Sequence, residues 1–211
     1  MSTDEQGTLR ITSSGGWPVT DVVDFLDSFR SAYEGLVILY ATLGTFTEEA
    51  QRFGGRIPYT EDEYFNLSFY SISMPTLVLT LPQEVFARLI RPQDRLILLR
   101  AQFSSPGFWE FMGTLNPLEV IRKFLDDRHR HRQDREYREG QEHRRLELDN
   151  LLLENQVIRE RIELARNLGL PDEALAPLMN RFVGEPLQRL GIVDDRGVIE
   201  ASAIDRRRPS S

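Results

Sequence analysis

The chain contains no cysteine, which excludes disulfides, thiolate nucleophiles and cysteine-ligated metals. Lysine is nearly missing as well: Lys123 is the only one among 26 basic residues, so positive charge rests on guanidinium groups that pair bidentately with carboxylates. No apolar run approaches the roughly 18 residues a membrane-spanning helix needs. The opening residues, Met1-Ser2-Thr3-Asp4-Glu5, have neither the basic start nor the apolar core of a signal peptide. A net charge of −7 argues against a protein that coats nucleic acid, which would carry a basic excess. Enzyme signatures are missing too. There is no G-x-x-x-x-G-K-S/T, no G-x-G-x-x-G, no H-E-x-x-H and no nucleophile elbow. These absences set the expectation of a soluble cytoplasmic protein that is not an enzyme, with no catalytic residues, cofactor or metal.

What is present reads as an α+β fold rich in helix. Residues 1–7 read as a disordered lead-in and 8–115 as a small α/β domain. Leu9-Arg10-Ile11-Thr12 alternates like a strand, and Gly15-Gly16 ends it. From Pro18, Val22, Phe25, Leu26, Phe29, Tyr33, Leu36, Val37 and Tyr40 recur three and four apart, the mark of a helix with one buried face. Thr60–Glu63 suit a helix cap, Leu77–Leu81 a strand, and Leu81-Pro82-Gln83-Glu84 the start of a short helix ending before Pro92. Arg95–Phe103 is the best strand pattern, a plausible neighbour of 8–13 in one sheet. Phe108-Trp109-Glu110-Phe111-Met112 reads as an apolar connector.

A long helix is expected over 116–168. Asn116, Pro117 and Glu119 suit its cap and first turn, while Gly169 and Pro171 suit its end. Unbroken, it would reach roughly 75 Å. Its first part holds nine basic against six acidic side chains over 122–145, many of them four apart and able to pair along the helix. Its second part is leucine-rich. A heptad frame places Leu148, Leu151, Asn155, Ile158, Ile162 and Ala165 on one seam, and a lone asparagine in such a seam fixes register in two-stranded coils. The same apolar residues also suit packing on the helix that follows within one chain. Residues 170–204 read as a helix through Leu175, Leu178 and Phe182, then a hairpin turning at Asp194–Gly197. Residues 205–211 read as a disordered tail.

Two further readings attach to named residues. Arg128, Arg132 and Arg135 form a basic face that would contact phosphate, although the interleaved carboxylates oppose this. Trp109 and Phe111 suit a membrane interface, although bulky residues between a strand and a helix usually cover a sheet. His129 and His131, two apart on a helix, point to nearly opposite sides and cannot share an ion.

The run from Leu96 through Ser105-Pro106-Gly107 and Gly113 to Asn116-Pro117-Leu118 resembles uncharacterised bacterial proteins. In these a strand, a Ser-Pro-Gly turn, a short apolar segment and a charged helix follow in order. The resemblance covers about residues 95–140 and implies a bacterial origin and that order of elements, with no activity attached. The leading expectation is a protein–protein interaction protein that homo-oligomerises, as a dimer, through the leucine-rich helix.

Overall fold

Alternation in the first strand sets the architecture. β1 (Gln6–Ser13) directs Leu9 and Ile11 to one face, where both are fully buried, and leaves Arg10 exposed on the other. The computed structural model describes residues 5–14, 16–52, 79, 85, 90–133, 156–196 and 199–206. After β1 come α1 (Val19–Arg52), a 3₁₀ turn (Pro92–Asp94), β2 (Ile97–Gln102), β3 (Gly107–Thr114) and α2 (Leu115–Gln133). Then follow α3 (Gln156–Asn167), α4 (Asp172–Met179), a π-helical turn (Asn180–Gly184), α5 (Glu185–Asp194) and β4 (Ile199–Arg206). The class is α+β.

The four strands form one antiparallel sheet in the order β2-β3-β1-β4. With α1 between β1 and β2, and α2 among the helices between β3 and β4, this is the split β-α-β connectivity of ferredoxin-like plaits. Here α3, α4 and α5 are added between α2 and β4. Residues 8–13 and 95–103 do share a sheet, but β3 lies between them. The expected connector is that central strand: Trp109 and Phe111 pair with Ile11 and Leu9 on the buried face, and Glu110 pairs with Arg10 on the other. Its burial alternates, with Trp109 and Phe111 buried and Phe108, Glu110 and Met112 half-buried on the other face.

Helix α1 covers the buried face. The Phe29 ring stacks on Phe111 at 4.2 Å, and Phe25 lies 5.5 Å from Trp109 and 5.1 Å from Trp17. One turn further on, the buried Tyr33 hydroxyl donates to the Asp94 carbonyl (2.8 Å) and accepts from the Thr114 amide (2.7 Å). The Tyr33 ring occupies the space above Gly113, where an added Cβ would stand 2.6 Å from its hydroxyl. Helix α2 follows β3 without a loop, beginning one residue before the expected cap at Asn116, and buries Leu118, Ile121 and Leu125. Ser202 of β4 donates to Asp126 of α2 at 2.6 Å.

The C-terminal helices pack along α1, with α5 running back along its first half, where Arg196 pairs with Asp21 and Asp24, and α3 against its second half. Ile158, Ile162 and Ala165 of α3 are buried, and Arg161 donates to the Tyr40 carbonyl at 2.9 Å. Helix α3 ends as its sequence predicts. Gly169 (φ +97°) donates to Arg166 and Leu170 to Ala165, both at 2.9 Å, a Schellman cap with Leu170 buried against the core.

A single straight helix over 116–167 does not fit these anchors. Thr114 is tied to Tyr33 and Arg161 to Tyr40, which stand about 10 Å apart along α1. A straight helix would hold Thr114 and Arg161 about 70 Å apart, a gap that two side-chain lengths cannot close. α2 and α3 therefore both lie against α1 rather than in one line, and residues 134–155, with Gly140, lie outside the described residues.

Other expectations are corrected at their edges. Gln6 and Gly7 belong to β1 rather than a disordered lead-in, and Asp205 and Arg206 to β4 rather than a tail. The expected hairpin is absent. Ile192–Asp194 end α5, and β4 pairs with β1 instead of an adjacent strand. The readings on 60–78 lie outside the described residues; of the strand expected at 77–81 only Leu79 is described, and it is helical.

Candidate functional site

Two recesses flank α1, and Glu34 lines both. The first lies at the β2 margin. Among the described residues strand β2 has a sheet neighbour on one side only, and a bulge falls between Leu98 and Arg100. Leu98 is in register with Phe111 and therefore faces the α1 side. Leu26, Arg30 and Glu34 of α1 meet Leu96, Leu98 and Phe111 around a recess of about 300 Å³. Helical spacing carries that stripe back through Val23 to Val19, since positions 19, 23, 26 and 30 share one face. Val19, Val23, Ile97, Leu98 and Phe103 are all exposed; with Leu164 and Ile192 they make up the seven exposed large hydrophobics among the described residues. Phe103 caps the margin, its ring edge-on to Trp109 at 5.1 Å and its carbonyl bonded to the Gly16 amide.

The second recess, of about 410 Å³, opens where α1 crosses the π-helical turn and α5. Gly35 makes the crossing possible: a Cβ there would lie 2.1 Å from the Phe182 carbonyl oxygen. Glu34 and Ser31 line one wall, Arg181, Glu185 and Arg189 the other, and Ile38, Phe182 and Pro186 supply apolar surface. Burial raises the Glu34 carboxyl above the ordinary 4.5; the charge of Arg30 opposes this shift and that of Asp27 adds to it. Single π turns occur frequently where a helix has been adapted to a binding role.

The sequence-derived site residues are placed elsewhere. Ile158, Ile162 and Ala165, expected on an intermolecular seam, are covered by their own chain. Leu148, Leu151 and Asn155 lie outside the described residues. Arg128 is drawn into the fold, with Nη2 donating to the Gly191 carbonyl and to Asp195, and Nε 3.6 Å from the fully buried Asp194. That guanidinium is turned from any phosphate because α2 packs against the end of α5. The side chain of Arg132, and Arg135 altogether, lie outside the described residues. Trp109 and Phe111 are each 2% exposed and pack on α1, so neither reaches a membrane surface.

Sequence reasoning missed both recesses. Each is made by side chains distant in sequence, and the one local signal was Gly35, a glycine inside an otherwise regular helical stripe. Among the described residues no three His, Asp or Glu side chains converge as a metal set, and no helix is long and apolar enough to cross a membrane. No protein-family model, curated protein or solved structure matches the chain.

Proposed function

We propose that this is a non-enzymatic interaction protein of the bacterial cytoplasm that self-associates, as a two-fold dimer, along its β2 margin. One observation carries the reading: four of the seven exposed large hydrophobics among the described residues, Val19, Val23, Leu98 and Phe103, gather on the α1-facing side of β2, its exit and the adjoining stripe of α1, with Ile97 on the opposite face of the same strand. Soluble monomers scatter such residues; a gathered patch marks a surface that another surface covers. A second copy fits because a two-fold contact needs only one self-complementary patch. The bulge at Leu98–Arg100 interrupts the outer edge of β2, so the contact is made through side chains rather than by extending the sheet. This closes the assembly at two copies, where a flat free edge would recruit more. A chain without cysteine suits a reducing compartment.

The test is light scattering coupled to size-exclusion chromatography at two concentrations. The intact chain is expected to run at twice its 24.4 kDa mass. Leu98→Asp combined with Phe103→Asp is expected to run as a monomer that still melts cooperatively, because both side chains are about half exposed within one chain. An intact chain that stays monomeric at both concentrations removes the proposal.

A further inference from the structure

The recess between α1 and α5 has charge on both walls and apolar surface between them. Arg189 projects from α5 and Glu34 from α1, and neither makes a hydrogen bond or ion pair among the described residues. Two opposite charges that line one recess without pairing leave each other's place open for a ligand. Glu185 and Arg181 add one charge of each sign, so the lining is balanced. A simple anion would meet two carboxylates there, and a simple cation two guanidinium groups. A molecule bearing both charges meets neither obstacle. Ile38 and Phe182 form the apolar part, and about 410 Å³ lies at the lower end of the range for small-molecule sites.

We infer that this recess binds a small zwitterion with an apolar side chain, a free amino acid or dipeptide, its ammonium on Glu34 and its carboxylate on Arg189. The arginine fork suits a carboxylate, which it grips through two parallel N–H groups. Glu34 loses hydration in the wall of the recess, a cost that Arg30 only partly offsets and Asp27 adds to, and a bound ammonium supplies further positive charge beside it. Binding therefore favours the ionised carboxylate and releases a proton where the free Glu34 carboxyl, raised above the ordinary 4.5, is still partly protonated. Glu34 also lines the recess at the β2 margin, so Arg189→Gln, which touches only the α5 side, is the variant that tests the inference apart from the dimer.

The probes are L-leucine, L-phenylalanine and leucyl-leucine, read by calorimetry on the intact chain, with N-acetyl-leucine and leucinamide as blocked analogues. At least one zwitterion is expected to bind, and each leucine analogue to bind at least tenfold more weakly than its parent. Glu34→Gln is expected to abolish the preference over the acetylated form, and Arg189→Gln the preference over the amide. Both variants are expected to keep the melting behaviour of a folded chain, because neither side chain anchors a neighbour. Proton release, seen as a dependence of the binding heat on buffer, is expected in the intact chain and lost in Glu34→Gln. No binding by any of the three zwitterions, or equal binding by leucine and both blocked forms, overturns the inference.

Discussion

Tyr33 shows how much one side chain can hold. Its hydroxyl is donor to one backbone group and acceptor from another, and the two belong to segments far apart in sequence, the 3₁₀ turn and the end of β3. Tyr33→Phe keeps the ring and removes both bonds, leaving a buried amide and carbonyl unsatisfied. A loss of about 1–3 kcal/mol is expected in urea unfolding, at the upper end if no water enters. Glu34 works in the opposite sense. Its folded-state pKa lies above the ordinary 4.5, so its contribution to stability is fully present below that value and is lost as pH rises through the raised pKa. Glu34→Gln should therefore melt higher than the parent at neutral pH and flatten the fall in stability as pH rises from 4.5 towards neutral. A parent whose melting temperature does not fall across that interval would contradict this.

At the scale of elements, the crossing of α1 with the π-helical turn depends on a missing side chain. Gly35→Ala should gain about 1 kcal/mol if helix propensity alone decided. With the Phe182 carbonyl 2.1 Å from the new Cβ, the helices must part, and overpacking costs about 1–3 kcal/mol. Destabilisation is the expected sign in thermal or urea unfolding; a stabilised variant would show that the crossing is looser. Elements with one solvent-facing side were legible from sequence: β1, the stripe of α1 and the Schellman end of α3 all follow local patterns. β3 was not, because its Trp109 and Phe111 alternate around Glu110 and Phe108 within a run too apolar to show period two. The seam through Ile158, Ile162 and Ala165 was legible as a buried stripe, but a stripe does not say whose surface covers it. Here α1 of the same chain does. The two recesses were illegible for a simpler reason: Glu34 and Arg189, or Leu26 and Leu98, meet only after folding.

The whole molecule differs most from the sequence reading in its reach. Anchors at Tyr33 and Tyr40 require α2 and α3 to lie along one helix, where an arm was expected. The lack of cysteine turns this into a clean measurement, since introduced thiols are the only labelling sites. Spin labels at Asn116→Cys and Arg159→Cys should lie less than about 40 Å apart, against about 65 Å for a straight helix. A distance near the larger value would refute the fold-back.

β4 adds a constraint that belongs to time rather than space. It closes the sheet against β1, Leu9 beside Ile204, about 195 residues later in the chain. At about 5–20 residues per second on the ribosome, the first strand waits on the order of 10–40 s for the neighbour that covers its edge. In the later half of that interval β1 can find β3 but not β4, and it presents an open row of amides and carbonyls. Synthesis, more than equilibrium stability, is then the moment of greatest exposure, and nascent chains stalled before residue 199 are the ones most dependent on a chaperone.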